Sequence, residues 1–272
     1  MTVITVLCLS YFSSDAQYYY KDIHTNNQVA ADMASYKANK IHNIRLRSFE
    51  DDGSPSKGFY CERKISKDYR KTELLTKSAI SGASVFNSMF NEKGKLIKTV
   101  DSSSLASSVN TFIYDDQDRV NNIISTIRSS DDDFVNEIRE EHLYFYNADG
   151  TLSKMILVKN RRDSTTMLFM ADEKNNVSIE KNTKTGSKYY YYYDDNNRLT
   201  DVVHSSDRTE RLLPDYMFQY DNAGLLTQMT STEEGGSDYY IWRYSYENGL
   251  RSKERCFSKE KRLMGSIEYE YK

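Results

Sequence analysis

Residues 216–226 read Tyr216-Met-Phe218-Gln-Tyr220-Asp221-Asn-Ala-Gly224-Leu-Leu226, and the fold follows from how this stretch is read. Aromatic side chains at 216, 218 and 220 alternate with other residues, the period of a half-buried strand. Asp221 follows, an acceptor for backbone N–H groups of a tight turn. Gly224 sits three positions later, where a type I turn with a bulge needs the left-handed region. Leu226 then opens a return strand. The unit is a β-hairpin.

The same phrase recurs through the chain. Phe90-Asn91…Gly94…Leu96, Tyr114-Asp115…Asp118…Val120 and Tyr146-Asn147…Gly150…Leu152 carry it, as do Ala171-Asp172…Asn175…Val177 and Tyr193-Asp194…Asn197…Leu199. Tyr246-Glu247-Asn248-Gly249-Leu250 is a shortened copy, and the chain stops on Glu268-Tyr269-Glu270-Tyr271. Anchors at 90, 114, 146, 171, 193, 220, 246 and 271 recur at about 25 residues, the spacing of a repeat architecture. In all six full copies the turn opens on Asp or Asn, namely Asn91, Asp115, Asn147, Asp172, Asp194 and Asp221. These six are assigned as structural turn residues. The expected fold is all-β, with antiparallel hairpin repeats forming one elongated, curved sheet, an open solenoid-like or half-barrel arrangement. Its last strand has a free edge, on which Glu268 and Glu270 guard against pairing.

Composition agrees with a sheet held by rings rather than aliphatics. Of 272 residues 38% are hydrophobic, yet there are 23 Tyr and 11 Phe. A buried Tyr or Phe removes roughly 150–250 Å² from water, so a tyrosine-rich sheet tolerates a mean hydropathy of −0.74. Net charge is −3 at pH 7. That balance argues against a nucleic-acid partner, which needs surplus Lys and Arg.

Tyr-x-Tyr-Asp-x-x-Gly-x-Leu, as at 218–226, resembles the YD repeat of Rhs-type and teneurin-type proteins. The likeness spans about 86–272. Rhs proteins carry many more copies, which coil into a closed shell around a C-terminal toxin. The chain is closer to short exported bacterial proteins made of a signal peptide and a few YD-like repeats. That resemblance implies export and a β-rich fold, and supplies no activity.

The remaining organisation divides in two. Thr2–Phe12 is the one long apolar run, followed by Ser14-Asp15-Ala16. Residues 1–16 therefore read as the back half of a secretory signal whose positive start is missing, with a buried first strand as the alternative. The run is too short for a membrane helix, so no transmembrane segment is expected. Residues 17–85 are a divergent β region. In it 41–66 read as a hairpin and 67–85 as a degraded copy, while 17–40 suit either a strand or a short helix. Cys61 and Cys256 suit either buried thiols or one disulfide.

Chemistry is sparse. His24, His42, His142 and His204 show no metal spacing. Asp115/Asp116, Asp194/Asp195 and Asp131–Asp133 lack the alternating-carboxylate calcium pattern. No cofactor, metal or catalytic residue is assigned. The one candidate ligand platform is the aromatic set Tyr240, Trp242 and Tyr244, which as an exposed face would stack on a sugar. The unbroken run Tyr189–Tyr193 makes both faces of one strand aromatic. The expected function is a secreted, periplasmic or cell-surface binding or structural module without enzymatic activity, its partner a glycan or another envelope protein. The alternatives are a carbohydrate-acting hydrolase with a site on the concave face, or a vestigial Rhs-type encapsulating fragment.

Overall fold

A computed structural model describes residues 18–79, 82–129, 137–205, 212–233 and 238–272. The leader assignment at 1–16 and the acidic run at 131–133 lie outside those residues. One helix, α1 (Tyr20–Ala38), precedes the strands. The first six are β1 (Asn43–Phe49), β2 (Tyr60–Ile65), β3 (Lys71–Ser78), β4 (Gly82–Phe90), β5 (Leu96–Ser103) and β6 (Ala106–Tyr114). Next come β7 (Val120–Ser129), β8 (Glu137–Tyr146), β9 (Leu152–Lys159), β10 (Asp163–Ala171), β11 (Val177–Asn182) and β12 (Lys188–Tyr193). The last are β13 (Leu199–Ser205), β14 (Leu212–Tyr220), β15 (Leu226–Thr232), β16 (Tyr239–Glu247), β17 (Leu250–Ser258) and β18 (Leu263–Tyr271).

Every strand pairs antiparallel with its successor, and β18 pairs with β1 from Ile44↔Tyr271 to Phe49↔Ser266. The sheet is therefore a closed 18-stranded up-and-down barrel. This overturns the open solenoid or half-barrel. The free edge expected at 267–272 is paired, and Glu270 bonds Arg47 of β1 at 3.3 Å. Closure removes both edges of the sheet, the condition under which long strands stay monomeric. The closing partner, β1, lies more than two hundred residues upstream and ends in a divergent copy of the turn, Phe49-Glu-Asp-Asp-Gly53, in which the Gly53 N–H returns to the Glu50 carbonyl at 3.1 Å. Helix α1 and β1 to β3 belong to the same barrel as the repeats.

The repeat turns line one end of the barrel. At Asn91, Asp115, Asp172, Asp194 and Asp221 the side-chain Oδ1 accepts the backbone N–H groups two and four residues ahead, at 2.8–3.0 Å. Asn147 differs: its Nδ2 donates to Thr151 Oγ1, and Asp149 accepts the Thr151 N–H instead. Asp118, Asn175 and Asn197 hold φ of 60–67°, and Gly224 holds 86°, as the turn requires. A register shift accompanies the turns, for example between Gln219 and Tyr220, the mark of the bulge.

Where the anchor residue is tyrosine, its hydroxyl ties the strand to the preceding hairpin; Phe90 and Ala171 make no such tie. Tyr114 donates to the Leu96 carbonyl at 2.6 Å, Tyr146 to Val120 at 2.8 Å, and Tyr193 to Val177 at 2.9 Å. Tyr220 donates to Leu199 at 2.8 Å, Tyr246 to Leu226 at 2.8 Å, and Tyr271 to Arg251 at 2.7 Å. The turn arginines reinforce the tie. Arg119 is held by Asp115 at 2.7 Å and lies 4.2 Å from the Tyr146 ring centroid; Arg198 is held by Asp194 at 2.7 Å and lies 4.8 Å from Tyr220. The ring sits on the lumen side, the hydroxyl reaches the previous hairpin, and the cation covers its face.

The core lies inside this ring. Tyr144, Met155, Met167 and Val202 are almost wholly buried in one cluster, and Ile44, Ile65, Phe90 and Leu96 form a second with Met33 of α1. Cys61 and Cys256 are both buried on inward positions and form no disulfide. Strands β1 and β18 separate them, three ladder steps of ~4.8 Å, beyond the reach of a bridge.

A neutral hydrogen bond contributes about 1 kcal/mol. Replacing Tyr146, Tyr220 or Tyr246 by Phe should each lower the urea unfolding free energy by about that amount, because the ring stays and only the tie is lost. Tyr192→Phe, on the outer face, should leave the midpoint unchanged.

Candidate functional site

Helix α1 lies in the barrel lumen, since it touches strands all around the wall. Tyr18, just ahead of it, packs on Tyr189, Tyr191 and Tyr216, with ring centroids 5.5–6.1 Å apart. Tyr19 and Asp22 meet β8, Asn26 Nδ2 donates to the Tyr114 hydroxyl of β6, and Tyr36 meets Arg63 of β2 and Tyr271 of β18. The open question over 17–40 resolves as helix. Its C-terminus closes tightly: Lys40 adopts φ 57° and the Ile41 N–H returns to the Tyr36 carbonyl at 2.9 Å.

The N-terminal half of α1 rests on a buried polar seat. Glu180, 2% exposed on the inner face of β11, accepts the backbone N–H groups of Tyr19 at 2.9 Å and Tyr20 at 3.1 Å. It also accepts the Tyr191 hydroxyl at 2.7 Å. A wall carboxylate thus caps the helix, which has no side-chain cap of its own and whose N-terminal amides favour negative charge. Burial pushes the Glu180 carboxyl up to about 7, against the opposing pull of those three hydrogen bonds.

Asp22 is the second element of the seat. Its Oδ2 receives His142 Nδ1 at 2.7 Å and the Tyr144 hydroxyl at 3.0 Å. His142 Nε2 points toward Glu140, 3.9 Å away, and Glu140 meets Lys159 at 3.3 Å. Burial would lower the His142 pKa, but the two carboxylates outweigh it and raise it to about 9. The imidazolium is therefore the charged form at neutral pH, clamped between helix and wall. The arrangement holds a helix. Among the described residues no group of three His, Cys, Asp or Glu is placed to bind a metal.

The sequence candidates fall elsewhere. Trp242 faces the lumen between Met229 and Cys256 in the ladder and is 9% exposed. Tyr240 and Tyr244 share its inward face, so this set does not offer an outer surface to a sugar. The six turn residues sit at the barrel's turn end, well apart from the seat. In the run Tyr189–Tyr193 the odd positions face inward, while Tyr192 points out and is 47% exposed. His204 bonds Asp215 at 2.8 Å, and His42 bonds the Tyr69 hydroxyl at 2.9 Å. Sequence reasoning missed Asp22, Glu180, His142 and Tyr144. The one available signal was Glu180 and His142 themselves, ionisable residues on the inward phase of strands that are otherwise apolar inside.

The outer wall is divided. Arg45, Arg47, Glu62, Glu73, Lys253, Arg255, Glu268 and Glu270 take outward positions on β1 to β3, β17 and β18. On β6, β8, β10, β12 and β14 the outward positions include Ile113, Phe145, Leu168, Met170, Tyr192 and Met217, each 39–47% exposed, with Asn122, Lys154, Lys181 and Asp201 between them on the intervening strands. A shallow groove of about 510 Å³ runs there between Asp172, Ile179, Tyr190, Tyr192 and Asp194.

No family model matches the chain, and no curated protein matches it. Solved structures share a weak likeness. A porin-like protein from Bacteroides uniformis is 10% identical over 85% of this chain and 98% of its own, with a TM-score of 0.40. A porin-like protein from Bacteroides vulgatus is 12% identical over 85% of this chain and 98% of its own, at 0.30. The TcdB2-TccC3-Cdc42 structure is 12% identical over 87% of this chain and 17% of that one, at 0.29. The Rhs-type likeness is thus distant, and at these TM-scores none of the three carries a functional argument.

Glu180 yields a pH test of the seat. Its carboxyl titrates near 7 in the fold and near 4.5 when unfolded, so the folded state binds the proton more tightly. Its contribution is complete below pH 4.5 and is lost as pH rises through 7, a change on the order of 3 kcal/mol. Melting of wild type should fall across this window relative to Glu180→Gln, whose curve should be flatter; parallel curves would contradict the assignment.

Proposed function

We propose that the chain is a non-enzymatic β-barrel module of the bacterial cell envelope, binding or structural, that meets its partner through its outer wall. The observation that carries this reading is the occupied lumen. Asp22, Glu140, His142 and Glu180, inside the barrel, are all engaged in seating α1, and the inward-facing Arg251 and Glu254 pair with each other at 2.8 Å. The outer wall is the surface left to meet another molecule. One sector, with six large apolar side chains half exposed on five alternate strands and Lys154, Lys181 and Asp201 between them, has the mixed composition of a contact surface. Another envelope component is the partner this reading names.

The charged sector supports a peripheral position over a full span. An Arg or Lys facing lipid at mid-bilayer costs ~2–4 kcal/mol, and Arg45, Arg47, Lys253 and Arg255 lie outward on one continuous arc. No helix among the described residues is long and apolar enough to cross a membrane.

Sedimentation with isolated Gram-negative envelopes tests the reading. Wild type should co-sediment, and Leu168→Asp with Tyr192→Asp should lower the bound fraction about tenfold with the melting temperature unchanged. Equal binding of the double variant would reject the outer sector. Release of sugar or peptide product by the purified protein would reject the non-enzymatic role.

A further inference from the structure

Helix α1 is a poor core helix. Of its 19 residues only Asp22, Asn26 and Met33 are buried, and two of those are polar. His24, Asn27, Gln28, Ala31 and Ala34 face open space although the helix is enclosed by the barrel. Its two ends are held by different means. The C-terminal end continues through the Lys40 turn into β1, with Met33 and Ile41 packed on Ile44, Ile65, Phe90 and Leu96. The N-terminal end is held by polar contacts, Glu180 on the Tyr19 and Tyr20 amides and Asp22 on His142 and Tyr144, together with the rings of Tyr18, Tyr19 and Tyr20 and the side chain of Ile23 against the wall.

We propose that α1 is a displaceable plug, hinged at residues 39–41, whose N-terminal half leaves the lumen wall as the surroundings become alkaline, with Asp22 and His142 as the latch. The geometry makes the two-state character plain. Releasing the N-terminal half breaks a few charge-assisted hydrogen bonds and lifts the rings of Tyr18, Tyr19 and Tyr20 with Ile23 off the wall, whereas the barrel ladder stays whole. The groups that surround the latch are Asp22, Tyr19 and Lys21 from the helix, Glu140 and Tyr144 from β8, Lys159 from β9, and Glu180 and Tyr191 from β11 and β12.

The direction follows from the protonation states. His142 titrates near 9 when latched and near 6.5 when free, so the latch holds fully below pH 6.5 and is lost as pH rises through 9. The Tyr19 and Tyr20 amides favour the charged Glu180 carboxylate, so that contact does not loosen as pH rises. Enclosure lowers the His24 pKa, and its effect is confined to pH below the ordinary histidine value. Burial lowers the Lys21 pKa, against Asp22 and Glu180, which raise it. His142, paired with Asp22 at 2.7 Å, sets the sign.

Hydrogen–deuterium exchange on the intact protein tests the device. Amides of residues 20–34 should open up to about 80-fold more at pH 9 than at pH 6.5, after correction for intrinsic rates, the limit that a shift of that size sets between those two pH values. Amides of the 212–232 hairpin should keep their protection. His142→Gln should flatten the pH dependence of the helix amides, and Asp22→Asn, which keeps the side-chain shape, should do the same if the glutamine variant does not fold. A helix whose corrected protection is unchanged across the window, or whose amides open together with those of the hairpin, would overturn the proposal. So would a slope that survives in either variant.

Discussion

The tyrosine hydroxyl that reaches back to the preceding hairpin is the contact on which the barrel depends. A repeat turn makes a hairpin by itself, but it says nothing about the hairpin's position relative to its neighbour. The bonds from Tyr114, Tyr146, Tyr193, Tyr220, Tyr246 and Tyr271 supply that. Each fixes the stagger between two hairpins at the turn end, with the ring filling the inner layer at the same time. Phenylalanine would fill the layer without setting the stagger. This is why the chain uses tyrosine heavily at the anchor position and can dispense with a deep aliphatic core.

The same contact links the turn to the wall. Asp115 and Asp194 spend one oxygen on backbone amides and the other on Arg119 and Arg198. Those guanidiniums then cover the tyrosine of the next repeat. Turn, cation and ring form one chain of contacts that passes from hairpin to hairpin, so local turn chemistry and global curvature agree, a sign of a consistent sequence.

How much of the molecule is legible in its residues follows from this locality. The turns at 91, 115, 172, 194 and 221 can be read because every group they need lies within five positions. The period-two aromatics can be read for the same reason. Closure cannot, because β1 meets β18 through ordinary backbone bonds and a few ion pairs such as Arg47 with Glu270, with no phrase that marks them as partners. The edge charges Glu268 and Glu270 have the same appearance whether they guard an edge or face a basic neighbour. The seat was hidden for a different reason. Asp22 meets His142 across 120 positions, and a helix with so few apolar residues gives weak periodicity to detect. Trp242, the most conspicuous side chain, proved a wall residue.

The polar seat also explains why one barrel can be both rigid and openable. A lumen filled by an apolar helix would be fused to its wall by the hydrophobic effect, since burial of apolar area scales without direction. Charged and hydrogen-bonded groups in a buried site behave otherwise: they are favourable only while fully paired, and losing one partner leaves an expensive remainder. Asp22, His142, Glu140 and Glu180 therefore specify one position for α1. The wall contributes three of these side chains, but its backbone ladders and tyrosine ties are made by other groups. Stability of the shell and seating of the helix are consequently separable quantities, and it is that separation which allows the inside of the molecule to respond to its surroundings while the outer surface keeps its shape.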